Sequence, residues 1–175
     1  MDVRLASEES RVLPTDTMLA RGAIAAVRIV FGLLWLTTAS WKLPPDFRTL
    51  KNFTGWAVEY PVFAPYSFLV EKVVLPNFTI FGWLTTITEI SIGAFLILGL
   101  TTRLWAVVGM AQTLAITLSV INAPNEWSWA YYMMFAGHMM IWATAAGRTF
   151  GLDGILRAGW IHADGRIFDV LRRVS

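Results

Sequence analysis

Four long apolar runs divide the chain, and each is bounded by charged, glycine-containing or proline-containing turns. A helix needs about 20 apolar residues to cross a hydrocarbon core about 30 Å thick, and the four runs approach that length. Small residues such as Gly32 in the first run favour close helix packing. The pattern therefore predicts four membrane-spanning helices, at residues 21–42, 78–100, 104–121 and 127–146.

The longest connection, residues 43–77, is aromatic rather than polar. Pro44 and Pro45 end the first span, because proline supplies no backbone N–H. Connections beyond about 15 residues without structure are uncommon. We therefore expect short amphipathic helices at residues 47–58 and 66–74, lying at the membrane surface. They form either a hydrophobic cap over the bundle or a lid over a substrate entrance.

Polar tails, residues 1–20 and 149–175, flank a predicted membrane domain at residues 21–148. The second tail is basic and amphipathic, so we expect it to lie on an anionic membrane surface. Lys and Arg are concentrated on the side that both tails share, which predicts cytoplasmic termini and an outer long connection. The predicted fold class is all-α, an integral membrane four-helix bundle with short amphipathic helices in the outer connection and at the C-terminus.

Composition agrees with a membrane protein and narrows its chemistry. Hydrophobic residues make up 56% of the chain and charged residues 15%, with a mean hydropathy of +0.57, whereas soluble domains carry about 25% charged residues. The net charge of +2 gives no indication of nucleic-acid binding. There are no cysteines, which excludes thiolate catalysis and iron–sulfur ligation by this chain. A redox centre must therefore lie on a partner or be a small molecule such as a quinone.

Each predicted span carries one strongly polar side chain at similar depth, near the middle of the membrane in three spans and several Å toward the cytoplasm for Arg28, whose long side chain we expect to reach the middle. These are Arg28, Glu89, Gln112 and His138. An ionised carboxylate at that depth is costly unless it is paired. We therefore expect an Arg28–Glu89 ion pair, with Gln112 and His138 completing its hydrogen bonds.

This polar layer has two interpretations. In the first, it fixes only the register of the helices. In the second, it binds a quinone head group, and Glu89, His138 and Arg28 are catalytic, because quinone reduction needs two protons that a carboxylate and an imidazole can supply. The residues then expected to bind substrate are Lys42, Trp41, Trp83 and Gln112. No metal or haem is expected on this chain, because the second histidine, His162, lies in the polar tail.

Several short motifs occur in an order that resembles the DoxD/DoxX family of four-span membrane proteins. They include Trp41-Lys42-Leu43-Pro44, Phe81-Gly82-Trp83, Glu89 with Gly93, Gly99-Leu100-Thr101-Thr102-Arg103 and Glu126-Trp127. Together the motifs extend over roughly residues 21–156. The long outer connection is more similar to DoxD than to the shorter DoxX proteins.

DoxD is the small subunit of thiosulfate:quinone oxidoreductase. The resemblance implies a subunit in a prokaryotic cell membrane that passes electrons from thiosulfate to membrane quinone, with lipid around it and a separate DoxA-type partner. An alternative is a non-catalytic accessory subunit docked on a larger respiratory or photosynthetic complex. A third possibility, a small transporter, lacks the inverted repeat that would support it.

Overall fold

The computed structural model describes residues 17–42 and 44–175, and every regular element in these residues is helical. We number the helices α1 Met18–Ala39, α2 Arg48–Glu59, α3 Ala64–Leu69, α4 Phe78–Leu98, α5 Thr102–Val120, α6 Ser128–Ala143, α7 Leu152–Ile161 and α8 Arg166–Val174. A π-helical turn, Val70–Val74, continues α3, and a 3-10 turn, Ala146–Arg148, follows α6. The all-α fold class is confirmed. Most of the predicted tail at residues 1–20 lies outside the described residues.

Among the described helices, α1, α4 and α5 are long and apolar enough to cross a membrane. The fourth predicted span corresponds to α6, which has 16 residues. At 1.5 Å per residue α6 is about 24 Å long, shorter than a hydrocarbon core of about 30 Å. It ends before the apolar run does, and Ala145 then takes a left-handed conformation with φ of 46°. The chain is a multi-pass membrane protein, and its fourth span stays a prediction.

Glycines determine how closely the main helices approach. Helix α1 crosses α4 at Gly32 and Gly93, where a Cβ on Gly32 would lie 2.8 Å from the carbonyl oxygen of Gly93. Helix α6 lies against α5 at Gly109, where a Cβ would overlap the ring of His138. The core is formed by Trp35, Ile92, Leu96, Ala106, Ile141 and Ala146. We call the end of the bundle near Ala39 the outer end and the opposite end the inner end, after the predicted topology.

The outer connection folds into a cap, formed by α2, α3 and the π-helical turn. The hydroxyl of Tyr66 lies 3.0 Å from the carbonyl oxygen of Ala115 and 2.8 Å from Oγ of Ser119, both on α5. Beyond α5, Nδ2 of Asn122 donates to the carbonyl oxygen of Pro61 at 3.1 Å. The helices predicted in this connection correspond to α2 and to α3 with its π-helical turn.

At the inner end, a buried carboxylate caps α5. Asp153 is fully buried and accepts hydrogen bonds from the backbone N–H of Thr101 at 2.6 Å and of Thr102 at 3.0 Å. A carboxylate at this position satisfies N–H groups that have no partner within the helix and favours the positive end of the helix dipole. Asp153 lies in the first turn of α7, and the predicted amphipathic tail, residues 149–175, forms α7 and α8.

Candidate functional site

A buried ion pair joins the outer end of α1 to the middle of α4. Nζ of Lys42 donates to Oε2 of Glu89, and the two side chains are 5% and 1% exposed. Nζ also donates to the carbonyl oxygen of Thr38 at 3.2 Å, and Nε2 of Gln112 on α5 donates to Oε1 of Glu89 at 3.4 Å. Helix α1 ends at Ala39, and the turn after it brings the amine back over the last helical carbonyls. Three segments of the chain thus meet at the Glu89 carboxylate.

The predicted Arg28–Glu89 ion pair is wrong. Arg28 is fully buried at the inner end, where it donates to the carbonyl oxygens of Leu96, Ile97 and Phe150. The contact between Gly32 and Gly93 sets the register of α1 against α4, so Arg28 is level with Ile97 and not with Glu89. The two charges are separated by about two helical turns, or about 12 Å along the axis. An extended arginine side chain is shorter than that separation, so Arg28 cannot reach Glu89.

His138 lies at the depth of the ion pair but is engaged elsewhere. Its Nε2 is 2.8 Å from Nε1 of Trp35, and its Nδ1 is 2.7 Å from the carbonyl oxygen of Met134. An indole nitrogen only donates and a carbonyl only accepts, so Nδ1 carries the proton and Nε2 accepts. Both nitrogens of a neutral imidazole are therefore satisfied. The expected hydrogen bond from His138 to the ion pair is not formed.

A cavity of about 570 Å³ lies between the ion pair and the cap. Lys42, Glu89 and Gln112 form part of its wall, and most of the remaining wall is apolar or aromatic. Aromatic lining comes from both the bundle and the cap and includes Trp35, Trp41, Phe53, Phe81 and Tyr66. A largely apolar space with a few convergent polar groups is typical of small-molecule sites, which span about 300–1,000 Å³.

Comparison with known families identifies the family of this chain. A family model described as "TQO small subunit DoxD" matches residues 25–165. The chain belongs to the DoxD family. Comparison with curated proteins and with solved structures found no match. The matched region extends from α1 to the turn after α7 and therefore contains the ion pair, the cavity and the cap.

Three of the four substrate-binding residues predicted for this DoxD-family chain line the cavity, namely Lys42, Trp41 and Gln112. The fourth, Trp83, is 46% exposed and packs its ring against Phe47 on the other side of α4. Of the three residues predicted to be catalytic, Glu89 lines the cavity. His138 lies behind Trp35, and Arg28 lies at the inner end. The roles of the lining residues stay predictions.

Sequence reasoning missed the residues that line the outer part of the cavity. Tyr66 comes from the cap, Glu126 from the turn before α6 and Tyr131 from the first turn of α6. The hydroxyl of Tyr131 donates to Oε2 of Glu126 at 2.5 Å. An aromatic outer connection was the available signal for Tyr66. Glu126 lies in a polar turn, and its sequence context does not distinguish it from a solvent-exposed residue.

The arrangement is suited to binding a neutral ligand that accepts hydrogen bonds. An ammonium has three N–H donors and a primary amide has two. Lys42 uses one on Glu89 and one on Thr38, and Gln112 uses one on Glu89. Among the described residues, each therefore retains one N–H for a ligand. In the same residues, no group of three or more His, Cys, Asp or Glu side chains is placed to hold a metal ion.

Proposed function

We propose that this chain is the quinone-binding membrane subunit of a thiosulfate:quinone oxidoreductase and that the cavity beside Lys42 and Glu89 holds the quinone head group. The observation that carries the proposal is a buried ammonium–carboxylate pair in the wall of a largely apolar cavity within the membrane domain. Family membership supports the same assignment. A quinone combines an apolar ring and tail with carbonyl oxygens that accept hydrogen bonds, which matches that wall.

Lys42 and Gln112 are the expected donors to a quinone carbonyl oxygen. Reduction places negative charge on that oxygen, and an ammonium in a water-poor site stabilises such charge strongly. Lys42 also carries a proton that it can give to the reduced oxygen. The neutral amine that results leaves Glu89 as an unpaired buried carboxylate, which is costly. Glu89 therefore drives Lys42 to take up a replacement proton.

The overall reaction in this proposal balances without a redox centre on this chain. Two thiosulfate ions lose two electrons and join through a new S–S bond to form tetrathionate. One quinone takes up those two electrons and two protons to form the quinol. We assign thiosulfate oxidation to a DoxA-type partner subunit at the outer surface, because this chain has no cysteine. This chain then supplies the quinone site and the protons. It lies in a prokaryotic cell membrane with both termini in the cytoplasm.

Tryptophan fluorescence tests quinone binding directly. Decylubiquinone added to the full chain in nanodiscs should quench its fluorescence saturably, because quinones are electron acceptors that quench nearby excited indoles. Trp41→Phe should reduce the amplitude of quenching, since Trp41 lines the cavity. Trp83→Phe, which removes one indole outside the cavity, is the matched control and should leave the amplitude nearly unchanged. Quenching that rises linearly with quinone, or that depends equally on both indoles, contradicts the proposal.

Turnover separates binding from catalysis. In membranes that contain both subunits, Glu89→Gln should abolish thiosulfate-dependent quinone reduction while the protein still inserts. The amide keeps the size of the side chain but removes the negative charge that reprotonates Lys42. We expect a loss of at least about 100-fold in kcat, the range for a residue that supports proton transfer. Unchanged turnover would remove Glu89 from the mechanism.

The accessory-subunit alternative is favoured by one observation, which is that the Lys42–Glu89 pair is almost completely buried and the two opposite charges pair with each other. A purely structural pair has the same appearance. Purification from native membranes distinguishes the two functions. Stable association with a large electron-transfer complex, together with no saturable quinone quenching, supports the accessory role.

A further inference from the structure

Three arginines from separate elements come together at the inner end of the bundle. Arg103 lies in the first turn of α5, Arg148 ends the 3-10 turn and Arg157 lies on α7. All three side chains are half-buried. Burial, followed by the positive charges of Arg157 and Arg103, lowers the pKa of Arg148, while the negative charge of Asp153 acts in the opposite direction. Arg148 and Arg157 both donate to Ser175, so they are neighbours, and the positive charges of Arg157 and Arg103 both act on Arg148.

The carboxylate in this region does not neutralise the cluster. Asp153 uses its oxygens on the backbone N–H groups of Thr101 and Thr102 and on the Thr102 hydroxyl. Asp169 on α8 pairs with a different arginine, Arg172. Within the described residues, no ion pair includes any of the three clustered arginines. Three guanidinium charges thus stand against one carboxylate side chain, Asp153, whose charge acts on Arg148.

Hydrogen-bond donors also exceed acceptors around these arginines. Each guanidinium has five N–H donors. Arg103 donates to the carbonyl oxygen of Trp142, Arg157 to the carbonyl oxygen of Arg172 and Oγ of Ser175, and Arg148 to the main-chain oxygen of Ser175. Nε of Arg148 is buried and has no partner among the described residues. Donors in a fixed planar fork match the oxygens of a phosphate group.

An apolar surface begins beside the cluster and continues along the bundle. Leu104 follows Arg103 on α5 and is 43% exposed, and Trp142, whose carbonyl oxygen binds Arg103, is 46% exposed on α6. Ile155 on α7 is 72% exposed next to Arg157. This combination suits a molecule with an anionic head and long apolar chains. Free phosphate would use the arginines but not the apolar surface.

We propose that Arg103, Arg148 and Arg157 form a binding site for the phosphate of an anionic phospholipid in the cytoplasmic leaflet, with its acyl chains lying along α5 and α6. Basic clusters at the cytoplasmic ends of membrane helices bind anionic head groups, and the predicted topology places the inner end there. The site is separate from the cavity and does not depend on the proposed quinone function.

Thermal unfolding of the purified full chain in detergent tests this site. The probes are dioleoyl phosphatidylglycerol, dioleoyl phosphatidylcholine with the same chains, and inorganic phosphate. We expect phosphatidylglycerol to raise Tm by about 5 °C, a shift typical of a bound ligand in excess over its Kd. Phosphatidylcholine and inorganic phosphate should produce little change. An equal shift with phosphatidylcholine would overturn the proposal, and an equal shift with inorganic phosphate would overturn the assignment to a lipid.

Variants locate the effect. Arg148→Gln and Arg103→Gln should each lose most of the phosphatidylglycerol shift. Arg173→Gln is the matched control, because it removes one exposed charge from α8 outside the cluster, and it should keep the shift. If Arg148→Gln does not fold, Arg103→Gln decides the test. Equal losses in Arg103→Gln and Arg173→Gln would indicate attraction by overall charge and would overturn a defined site.

Discussion

The two ends of the bundle handle buried positive charge in different ways. At the outer end Lys42 is matched by a full negative charge on Glu89. At the inner end Arg28 is equally buried, but its hydrogen-bond partners are backbone carbonyl oxygens near the end of α4 and after α6. Carbonyls in the last turn of a helix lack partners within the helix, whereas carbonyls near Glu89 are already bonded. The position along α4 therefore decides which kind of partner each cation finds.

This difference gives the two ends different capacities: the outer pair can exchange a proton, whereas the contacts of Arg28 only stabilise the fold. A lysine paired with a carboxylate can give up and regain a proton, and the pair lines a cavity. An arginine remains protonated in proteins, and carbonyl partners do not titrate. We therefore expect changes at the outer end to affect both stability and quinone binding, and changes at Arg28 to affect stability alone.

The largest expected effect comes from breaking one side of the outer pair. Glu89→Leu leaves the charge of Lys42 buried without a partner and should lower the free energy of unfolding by about 3–5 kcal/mol. The double variant Lys42→Met/Glu89→Leu removes both charges and should recover most of that loss, since an apolar replacement of a buried pair is often close to neutral. Denaturant unfolding in mixed micelles measures both values.

The same double variant should not bind decylubiquinone, because it retains neither the ammonium nor the carboxylate. Recovered stability with no saturable quenching would show that the pair serves binding rather than folding. A double variant as unstable as Glu89→Leu would show that lost packing, and not the unpaired charge, explains the destabilisation.

A somewhat smaller effect is expected at the inner end. Arg28→Met removes three hydrogen bonds from a charged donor and should lower the free energy of unfolding by about 3 kcal/mol. The Kd for decylubiquinone should stay within about twofold, because Arg28 lies about 12 Å from Glu89 along the helix axis. Fluorescence titration in nanodiscs provides the check. A tenfold weaker Kd in a folded Arg28→Met protein would contradict the division between the two ends.

In this chain the sequence predicts how deep the polar residues lie in the membrane, but not which residues they contact. Counting residues from the span ends places Glu89 and Gln112 at one level, and their contact at 3.4 Å confirms it. The partner of Glu89 depends on two features that periodicity does not encode. One is the glycine contact that offsets Arg28. The other is the turn after α1, which folds Lys42 inward although its position beside Trp41 is typical of a membrane interface.

A smaller effect is expected from two glycines, one at a close contact between helices and one in open space. Gly109→Ala places a methyl group against the His138 ring on the facing helix, so the ring must move and its hydrogen bond with Trp35 must stretch. We expect a loss of about 2 kcal/mol. Gly22→Ala is the matched control, because a Cβ there meets no atom within 4 Å, and alanine favours a helix by up to about 1 kcal/mol. Equal unfolding curves for the two variants would contradict the close packing of α5 and α6.

The smallest effect concerns the cap and depends on pH. Burial raises the pKa of Tyr66, and its hydrogen bond with Ser119 acts in the opposite direction. The unfolded chain therefore releases this proton at a lower pH than the folded protein, so stability falls as pH rises above about 10.

Tyr66→Phe removes this titration and the hydrogen bonds to α5, which should lower the free energy of unfolding by about 1 kcal/mol at pH 7. The difference in free energy of unfolding between the wild type and Tyr66→Phe should narrow above pH 10. Only the wild type carries the Tyr66 hydroxyl, whose ionisation lowers stability there. A difference that stays constant from pH 7 to pH 11 would show that Tyr66 titrates as an exposed phenol and that the cap does not close over it.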